Sequence, residues 1–275
     1  MLEELLTAPK SSLKVKKALD DRDRYIDMLT AYTKELQERA GDFMLPEFSQ
    51  LRGFSMDTIK EEGIFYVNDA TEMLLPKYFN ELDNLGVISE TNKKPIFHNR
   101  WVMPIKDVDG RVLNLVGYSN TANERYLYGT AKYYRRRETL YGLENLDLAY
   151  KLGFAIITEG ITDTICVRNL GYKNCFANCG THESSFIIKQ LNRCEHGVIK
   201  IPDRDKAGAR LNKKWKFLRS AQLNVFIKYK DVDEMCRDSA EMAEIVKEYI
   251  DACIEWILQD KHRGFDSEKQ VVTIV

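Results

Sequence analysis

The sequence predicts an α+β amino-terminal lobe followed by an α/β domain with a mainly parallel central sheet. Three apolar runs in the second half have the composition of buried parallel strands, and helix-like stretches lie between them: 154–157, 198–201 and 225–227. In the first half, Asp109-Gly110 between two alternating segments is a strong hairpin signal. The two halves therefore belong to different structural classes.

Four segments are predicted along the chain. Residues 1–44 are a helical amino-terminal extension, because they are polar, have helix-like spacing and contain no glycine before Gly41. We interpret them as exposed, either as a partner-binding element or as a solvated helical face. Residues 45–150 form the amino-terminal lobe and residues 151–235 the α/β domain. Residues 236–275 form a carboxy-terminal helix, ending near Gln259, and a poorly ordered tail from Lys261.

The amino-terminal lobe begins as a broken helical region, with Pro46, Gly53, Gly63 and Pro76 as interruptions. Alternating segments at 102–105 and 112–115 then flank the Asp109-Gly110 turn. This order predicts short helices followed by a mostly antiparallel sheet.

Composition limits the function classes. The chain has 44% apolar and 30% charged residues and a net charge of −1, which describe an ordinary globular protein. No apolar run reaches membrane-spanning length. The six cysteines predict buried thiols in a reducing cytoplasm. Cys175 and Cys179 with nearby His182 could suggest zinc, but no second ligand pair completes such a site.

Acidic residues follow each of the three predicted strands. Carboxyl ends of parallel strands meet at one edge of a sheet, where α/β folds bind ligands. Several carboxylates at that edge cannot all stay charged without cations, and hard oxygen ligands select Mg²⁺ or Mn²⁺. The sequence therefore predicts a phosphoryl-transfer site with two or more ions, held by Glu159, Asp203, Asp205, Asp231 and Asp233.

A basic, tyrosine-containing stretch runs from Arg100 to Arg137. It has eight basic and three acidic residues, a local charge of +5. Guanidinium groups match phosphate geometry, and tyrosine rings can stack on unpaired bases. The alternative is a solvated charge run on the surface. The candidate nucleic-acid and nucleotide contacts are Arg100, Arg125, Tyr126, Lys132, Arg135 and Arg136.

Together these motifs resemble the catalytic core of bacterial-type DNA primases, including phage versions, which carry a Toprim domain. The Toprim signature corresponds to Glu159-Gly160 with Asp163, then to Asp203 and Asp205. Further matches are to the primase amino-terminal subdomain (51–59), its strand-turn-strand element (97–112) and its nucleic-acid-binding segment (125–143). A Gly-Thr turn (177–181) and a second acidic pair (231–234) also match. The resemblance covers roughly residues 45–240.

The resemblance implies template-directed synthesis of short RNA primers on single-stranded DNA from ribonucleoside triphosphates. In that reaction Glu159, Asp203 and Asp205 would be catalytic, with Glu159 either a metal ligand or the general base. Asp163 would orient the ligands. Two alternatives stay open: a Toprim-type nuclease or topoisomerase-like strand cleaver, and a non-catalytic Toprim DNA-binding protein.

The sequence also departs from the family pattern. We find no zinc-binding segment and no helicase domain, and Tyr128 replaces the usual Asn. We therefore expect a phage- or plasmid-encoded core in the cytoplasm of a bacterial cell, working with a replicative helicase or a separate zinc-domain protein that recognises the template.

Overall fold

A computed structural model describes residues 11–68, 74–89, 91, 93–136, 139–179, 185–217, 219–259 and 273–274. These residues group into two compact units. The first unit takes those described residues that fall within 1–43, 64–105 and 111–134, and the second takes those within 44–63, 106–110 and 135–275. These groups do not follow the four predicted segments one for one, and the segment boundaries remain a prediction.

The first unit is built on a four-stranded sheet with strand order β1-β2-β3-β4. Its elements are one long helix, α1, a short helix, α4, and the four strands: α1 Ser11–Ala40, β1 Phe65–Val67, α4 Leu82–Leu85, β2 Arg100–Lys106, β3 Val112–Tyr118 and β4 Tyr126–Tyr128. β1 pairs antiparallel with β2, and β3 pairs antiparallel with β4. Gly110, between β2 and β3, has φ +78°, as a tight turn requires. The hairpin prediction is confirmed.

Helix α1 packs on this sheet, so its interpretation as an exposed helix is wrong. Leu29, Tyr32 and Leu36 on α1 are buried in one apolar cluster with Val102 of β2 and Leu115 of β3. The ring of Tyr32 is fully buried and lies edge-on to Tyr78 at 5.1 Å. The apolar stripe is narrow and lies among charged residues, which is why composition suggested a solvated helix.

The second unit contains a five-stranded parallel sheet with strand order β6-β5-β7-β8-β9. Its strands are β5 Phe154–Thr158, β6 Cys175–Ala177, β7 Gly197–Ile201, β8 Ser220–Leu223 and β9 Thr273–Ile274. Its helices are α2 Leu45–Arg52, α3 Met56–Glu62, α5 Leu146–Leu152, α6 Ile161–Asn169, α7 Ser185–Leu191, α8 Lys206–Lys214, α9 Val232–Asp238 and α10 Ala240–Gln259. The predicted parallel α/β domain is confirmed.

Two predicted elements differ from the structure. The third strand is Ser220–Leu223, and the apolar run 225–227 lies beyond it, with Val225 buried and Ile227 85% exposed. The single carboxy-terminal helix is divided at Ser239, whose extended backbone (φ −163°, ψ 162°) separates α9 from α10. The hydroxyl of Ser239 accepts the backbone N–H of Met242 at 3.1 Å. The predicted tail lies outside the described residues, except for β9.

The six cysteines are thiols and form no disulfide, and all except the half-buried Cys236 are buried, as predicted. Cys175 lies on β6 and Cys179 just beyond it, whereas His182 lies outside the described residues.

Within the described part of the chain, no helix is both long and apolar enough to span a membrane.

Candidate metal centre and nucleic-acid residues

The carboxyl ends of β5 and β7 are joined by a side-chain contact. Glu159 follows β5 directly, and its Oε1 accepts the backbone N–H of Asp203, just beyond β7, at 3.0 Å. The two strands are parallel neighbours, with Thr158 in register with Ile201. Their adjacency therefore brings together the two halves of the acidic motif that are far apart in the sequence.

Asp205 has a structural role as well as a predicted catalytic one. It is the N-cap of α8, and its Oδ1 accepts the backbone N–H groups of Ala207 and Gly208, both at 2.8 Å. Because Gly208 has no side chain, its backbone can lie close to the carbonyl of Asp203 and the carboxylate of Glu159. A Cβ at that position would lie 2.2 Å from the carbonyl oxygen of Asp203 and 2.5 Å from Oε1 of Glu159.

The second acidic pair reaches the same edge through a loop. The backbone N–H of Arg204 donates to the carbonyl of Lys230 at 2.8 Å, which ties the loop to the end of β7. Asp231 then caps α9, with Oδ1 accepting the backbone N–H of Glu234 at 2.8 Å. The backbone N–H of Asp233 donates to Oδ1 of the buried Asp163, at 3.3 Å. Asp163 therefore connects α6 to α9, consistent with an orienting role.

The ammonium group of Lys230 lies among three of these carboxylates. Its Nζ is 3.4 Å from Oδ2 of Asp203, 3.9 Å from Oδ2 of Asp205 and 3.9 Å from Oδ2 of Asp231. Although partial burial opposes it, the carboxylates raise the pKa of Lys230, and it therefore stays protonated. This lysine provides the local positive charge for the three acids.

Asp233 has two different cationic partners. Arg52 of α2 and Arg237 of α9 both contact its Oδ2, at 2.7 and 2.9 Å. The Asp233 side chain is 3% exposed, and its Oδ1 is buried without a hydrogen-bond partner. A buried carboxylate oxygen is costly to leave unsatisfied, and so Oδ1 is suited to a cation.

The acids repel one another and are poorly solvated. Burial and the charge of Asp203 raise the pKa of Glu159 to about 7. Burial and the neighbouring aspartates raise the pKa of Asp163 well above its usual value. Burial raises the pKa of Asp203 against the opposing effect of Lys230, and that of Asp233 against Arg52 and Arg237. The site holds more negative charge than its own cations balance.

These observations fit a divalent cation. The donors are carboxylate oxygens, as Mg²⁺ and Mn²⁺ prefer, and both the raised pKa values and the orphaned Oδ1 of Asp233 indicate missing positive charge. No three acidic, histidine or cysteine side chains in the described residues already surround one point as ligands. Lys230 occupies the space among Asp203, Asp205 and Asp231 instead.

The predicted nucleic-acid contacts differ in exposure. Arg100 on β2 is 8% exposed, and its Nη1 donates to the backbone carbonyls of Glu124 and Arg125, at 2.9 and 3.2 Å. Trp101 and Tyr118, the aromatic neighbours in the predicted stretch, are also buried. In the structure Arg100 therefore holds the backbone of the two residues that precede β4. A contact between Arg100 and phosphate remains a prediction.

Arg125 and Lys132 are exposed in the first unit, and Tyr126 is half-buried on β4. The Nζ of Lys132 lies 5.6 Å from the ring centre of Tyr133. Arg135 and Arg136 are exposed in the second unit, where Arg136 also donates to the carbonyl of Cys179. These side chains are exposed, and their predicted contacts with phosphate remain predictions.

Four residues of the site were not predicted from the sequence: Arg52, Gly208, Lys230 and Arg237. Lys230 directly precedes a predicted ligand, but a lysine beside an acid has no specific meaning in a sequence. Arg52 lies on α2, far from Asp233 in the chain, and only the fold brings them together. Gly208 lies three residues after Asp205, and only the folded structure shows that a side chain there would meet the carbonyl of Asp203 and the carboxylate of Glu159.

Comparison with known proteins gives a consistent result. Residues 156–236 match a Toprim-like family, Toprim_2. The DNA primase of Thermotoga maritima is 28% identical over 235 residues, which are 79% of this chain and 41% of that protein. The chain thus spans about two fifths of the length of this relative.

Two solved structures share the fold. The primase of Aquifex aeolicus (zinc-binding and RNA polymerase domains) has a TM-score of 0.69 and 21% identity, covering 84% of this chain and 61% of that one. The DnaG primase catalytic domain bound to single-stranded DNA has a TM-score of 0.70 and 18% identity, covering 89% and 84%. The second half of this chain is a Toprim-type α/β domain. The whole has the fold of a bacterial-type DNA primase catalytic core, and the resemblance found in its motifs is confirmed.

Proposed function

We propose that this chain is a primase core that synthesises short RNA primers on a single-stranded DNA template by metal-dependent nucleotidyl transfer. The observation that carries the proposal is that Asp203, Asp205 and Asp231 all face the ammonium group of Lys230, and that Glu159 accepts the backbone N–H of Asp203 beside them. A protein that only binds DNA gains nothing from negative charge concentrated beside a polyanion.

The reaction joins a ribonucleotide 3′-hydroxyl to the α-phosphate of an incoming triphosphate and releases pyrophosphate. Bound Mg²⁺ or Mn²⁺ would offset the charge that develops on the phosphate oxygens. Glu159, Asp203, Asp205, Asp231 and Asp233 would hold the ions, Asp233 through its unpartnered Oδ1. Alternatively, Glu159 would act as the general base that accepts the proton of the 3′-hydroxyl.

The remaining residues would orient these groups and bind the nucleic acid. Asp163 fixes the start of α9 through the N–H of Asp233. Tyr126 would stack on a base. The exposed cations Arg125, Lys132, Arg135 and Arg136 would contact the template and the triphosphate, with a further contribution from Arg100.

The partners follow from this role. The substrates would be single-stranded DNA and ribonucleoside triphosphates, and the place of action would be the cytoplasm of a bacterial or phage-infected cell. We propose a replicative helicase or a zinc-domain protein as a further partner. Recovery of such a protein with the tagged chain from an infected or plasmid-bearing cell would test this.

A primer-synthesis assay tests the function. Single-stranded DNA and labelled ribonucleotides are incubated with Mg²⁺ or Mn²⁺ and either the wild-type chain or the Asp203→Asn/Asp205→Asn variant. Asparagine keeps the α8 cap, so a loss of product reports the loss of charge. Glu241→Gln/Glu244→Gln is the matched control, because it removes two charges from exposed positions on α10.

The expected result is template-dependent short RNA from the wild type and the control, and none from the aspartate variant. Metal-dependent cutting of the template without RNA synthesis would replace the proposal with a Toprim-type nuclease. DNA binding without either activity, even with a helicase or zinc-domain protein added, would indicate a non-catalytic binding protein.

A further inference from the structure

Two of the three carboxylates around Lys230 use their two oxygens for different contacts. In Asp205 and Asp231, Oδ1 accepts backbone N–H groups at the starts of α8 and α9. In both residues it is Oδ2 that faces Nζ of Lys230, at 3.9 Å. Asp203 also presents Oδ2 to Nζ, at 3.4 Å. The oxygens that are not used as caps therefore converge on one ammonium group.

The position of Lys230 is fixed through its backbone, whereas its side chain is partly free to move. Its N–H donates to Oε2 of Glu234 at 2.7 Å, and its carbonyl accepts from Arg204 at 2.8 Å. The side chain is 58% exposed at the end of a flexible four-carbon stem. In contrast, the side chain of Arg52, which partners Asp233, is 10% exposed. Lys230 can leave the carboxylates for water at little steric cost.

We propose that Lys230 is a built-in counter-ion that occupies the divalent-ion position, so that metal binding must displace it. Lys230 thereby sets the metal concentration at which the site fills. The inference rests on the proposed function, because it concerns the metal centre of that reaction. An ammonium and a divalent ion about 4 Å apart repel each other strongly in a partly desolvated site, and the two cannot share these three oxygens.

The role predicts a specific change in metal affinity. Lys230→Gln removes the competing charge and keeps a polar side chain that is one atom shorter. We expect this variant to bind Mn²⁺ about tenfold more tightly than the wild type. Lys230→Arg keeps the charge, and we expect wild-type affinity within about threefold. Lys228→Gln is the matched control, since Lys228 pairs with Asp238 at 3.0 Å and not with the metal-site carboxylates.

The experiment is a titration of the full chain with Mn²⁺, followed by electron paramagnetic resonance of the free ion, without DNA or nucleotide. Tighter binding by Lys230→Gln, together with unchanged binding by Lys230→Arg and Lys228→Gln, supports the inference. Equal or weaker binding by Lys230→Gln overturns it. Equal tightening by Lys228→Gln also overturns it, because the effect would then be that of net charge.

This test is separable from that of the proposed function. It reads metal binding alone, so a chain that makes no primers but shows the tenfold change keeps the inference and loses the function. A chain whose wild-type and Lys230→Gln forms bind no Mn²⁺ has no metal centre, and that outcome overturns the inference directly.

Discussion

The guanidinium of Arg52 lies 2.7 Å from Oδ2 of Asp233, and both side chains are nearly buried, at 10% and 3% exposed. The pair links α2 to the start of α9 within the second unit. Arg237 contacts the same oxygen at 2.9 Å, whereas the other oxygen, Oδ1, is buried without a hydrogen-bond partner. The ion pair therefore determines which oxygen of Asp233 remains available as a ligand.

Replacing Arg52 should destabilise the protein. Arg52→Gln removes one partner of a buried carboxylate, and we expect a loss of about 2 kcal/mol in the free energy of unfolding, because Arg237 still compensates part of the charge. Urea denaturation measures the loss. Adding Asp233→Asn to Arg52→Gln should recover most of it, since the buried charge is then gone. A loss below about 0.5 kcal/mol would show that the pair is energetically neutral.

A second buried charge network should be still more sensitive. Arg168 is 1% exposed and donates to both carboxylate oxygens of Glu62 at 2.9 Å, while the hydroxyl of Tyr141 donates to the same carboxylate at 2.6 Å. Arg168→Met leaves Glu62 charged and buried, and we expect a loss of about 3–5 kcal/mol by urea denaturation. Arg193→Met, at an exposed position, is the control and should cost less than about 1 kcal/mol. Similar losses in both variants would contradict the prediction.

The stability of the metal-free protein should depend on the ionisation of Glu159. Its pKa rises from 4.5 to about 7 on folding, so folding favours the protonated form. That contribution to stability is complete below pH 4.5 and is lost as the pH rises through 7. In EDTA, Glu159→Gln should therefore be more stable than the wild type at pH 8, by about 1 kcal/mol after allowance for solvent screening, and nearly equal at pH 4.5.

Urea midpoints at the two pH values measure this difference. Glu241→Gln, on the exposed face of α10, is the control and should show no such pH dependence. If Glu159→Gln were less stable than the wild type at pH 8, the ionised carboxylate of Glu159 would stabilise the metal-free fold. That result would contradict the prediction.

Gly208→Ala should act against the usual helix preference. In an ordinary helix interior this change adds about 0.5–1 kcal/mol of stability. Here the new Cβ would lie 2.2 Å from a backbone oxygen and 2.5 Å from Oε1 of Glu159, so the turn must shift. We expect lower stability and weaker Mn²⁺ binding, measured by thermal unfolding and by metal titration. A stabilised variant would show that the turn has room for a side chain.

Binding to single-stranded DNA should weaken steeply with salt, because exposed cations displace counter-ions from phosphate. Each phosphate contact contributes about −0.7 to the slope of log K against log salt concentration. Arg125→Gln and Arg135→Gln should each reduce the slope by about that amount, measured by fluorescence anisotropy from low to moderate salt. Lys247→Gln on α10, which pairs with Glu244 and Asp251, should leave it unchanged. A flat dependence in the wild type would remove these arginines from DNA binding.

The sequence by itself determined the elements whose pattern is local. Strands β5 and β7 were predicted because apolar runs of strand length end at acidic residues, and the hairpin because Asp-Gly adopts few other turns. The adjacency of Glu159 and Asp203 followed from a general property of parallel sheets, which bring the carboxyl ends of their strands to one edge. These predictions needed no knowledge of distant contacts.

Only the tertiary structure decided the features that depend on contacts between distant residues. The burial of Tyr32 depends on the sheet beneath α1, and the position of β8 depends on pairing with β7 and not on the apolar run at 225–227. The contacts of Lys230 and Arg52 with the carboxylates are of the same kind. The strength of an interaction between charges depends on the distance between them, and the fold sets that distance. Local pattern specified the acids, and packing specified the cations that lie beside them.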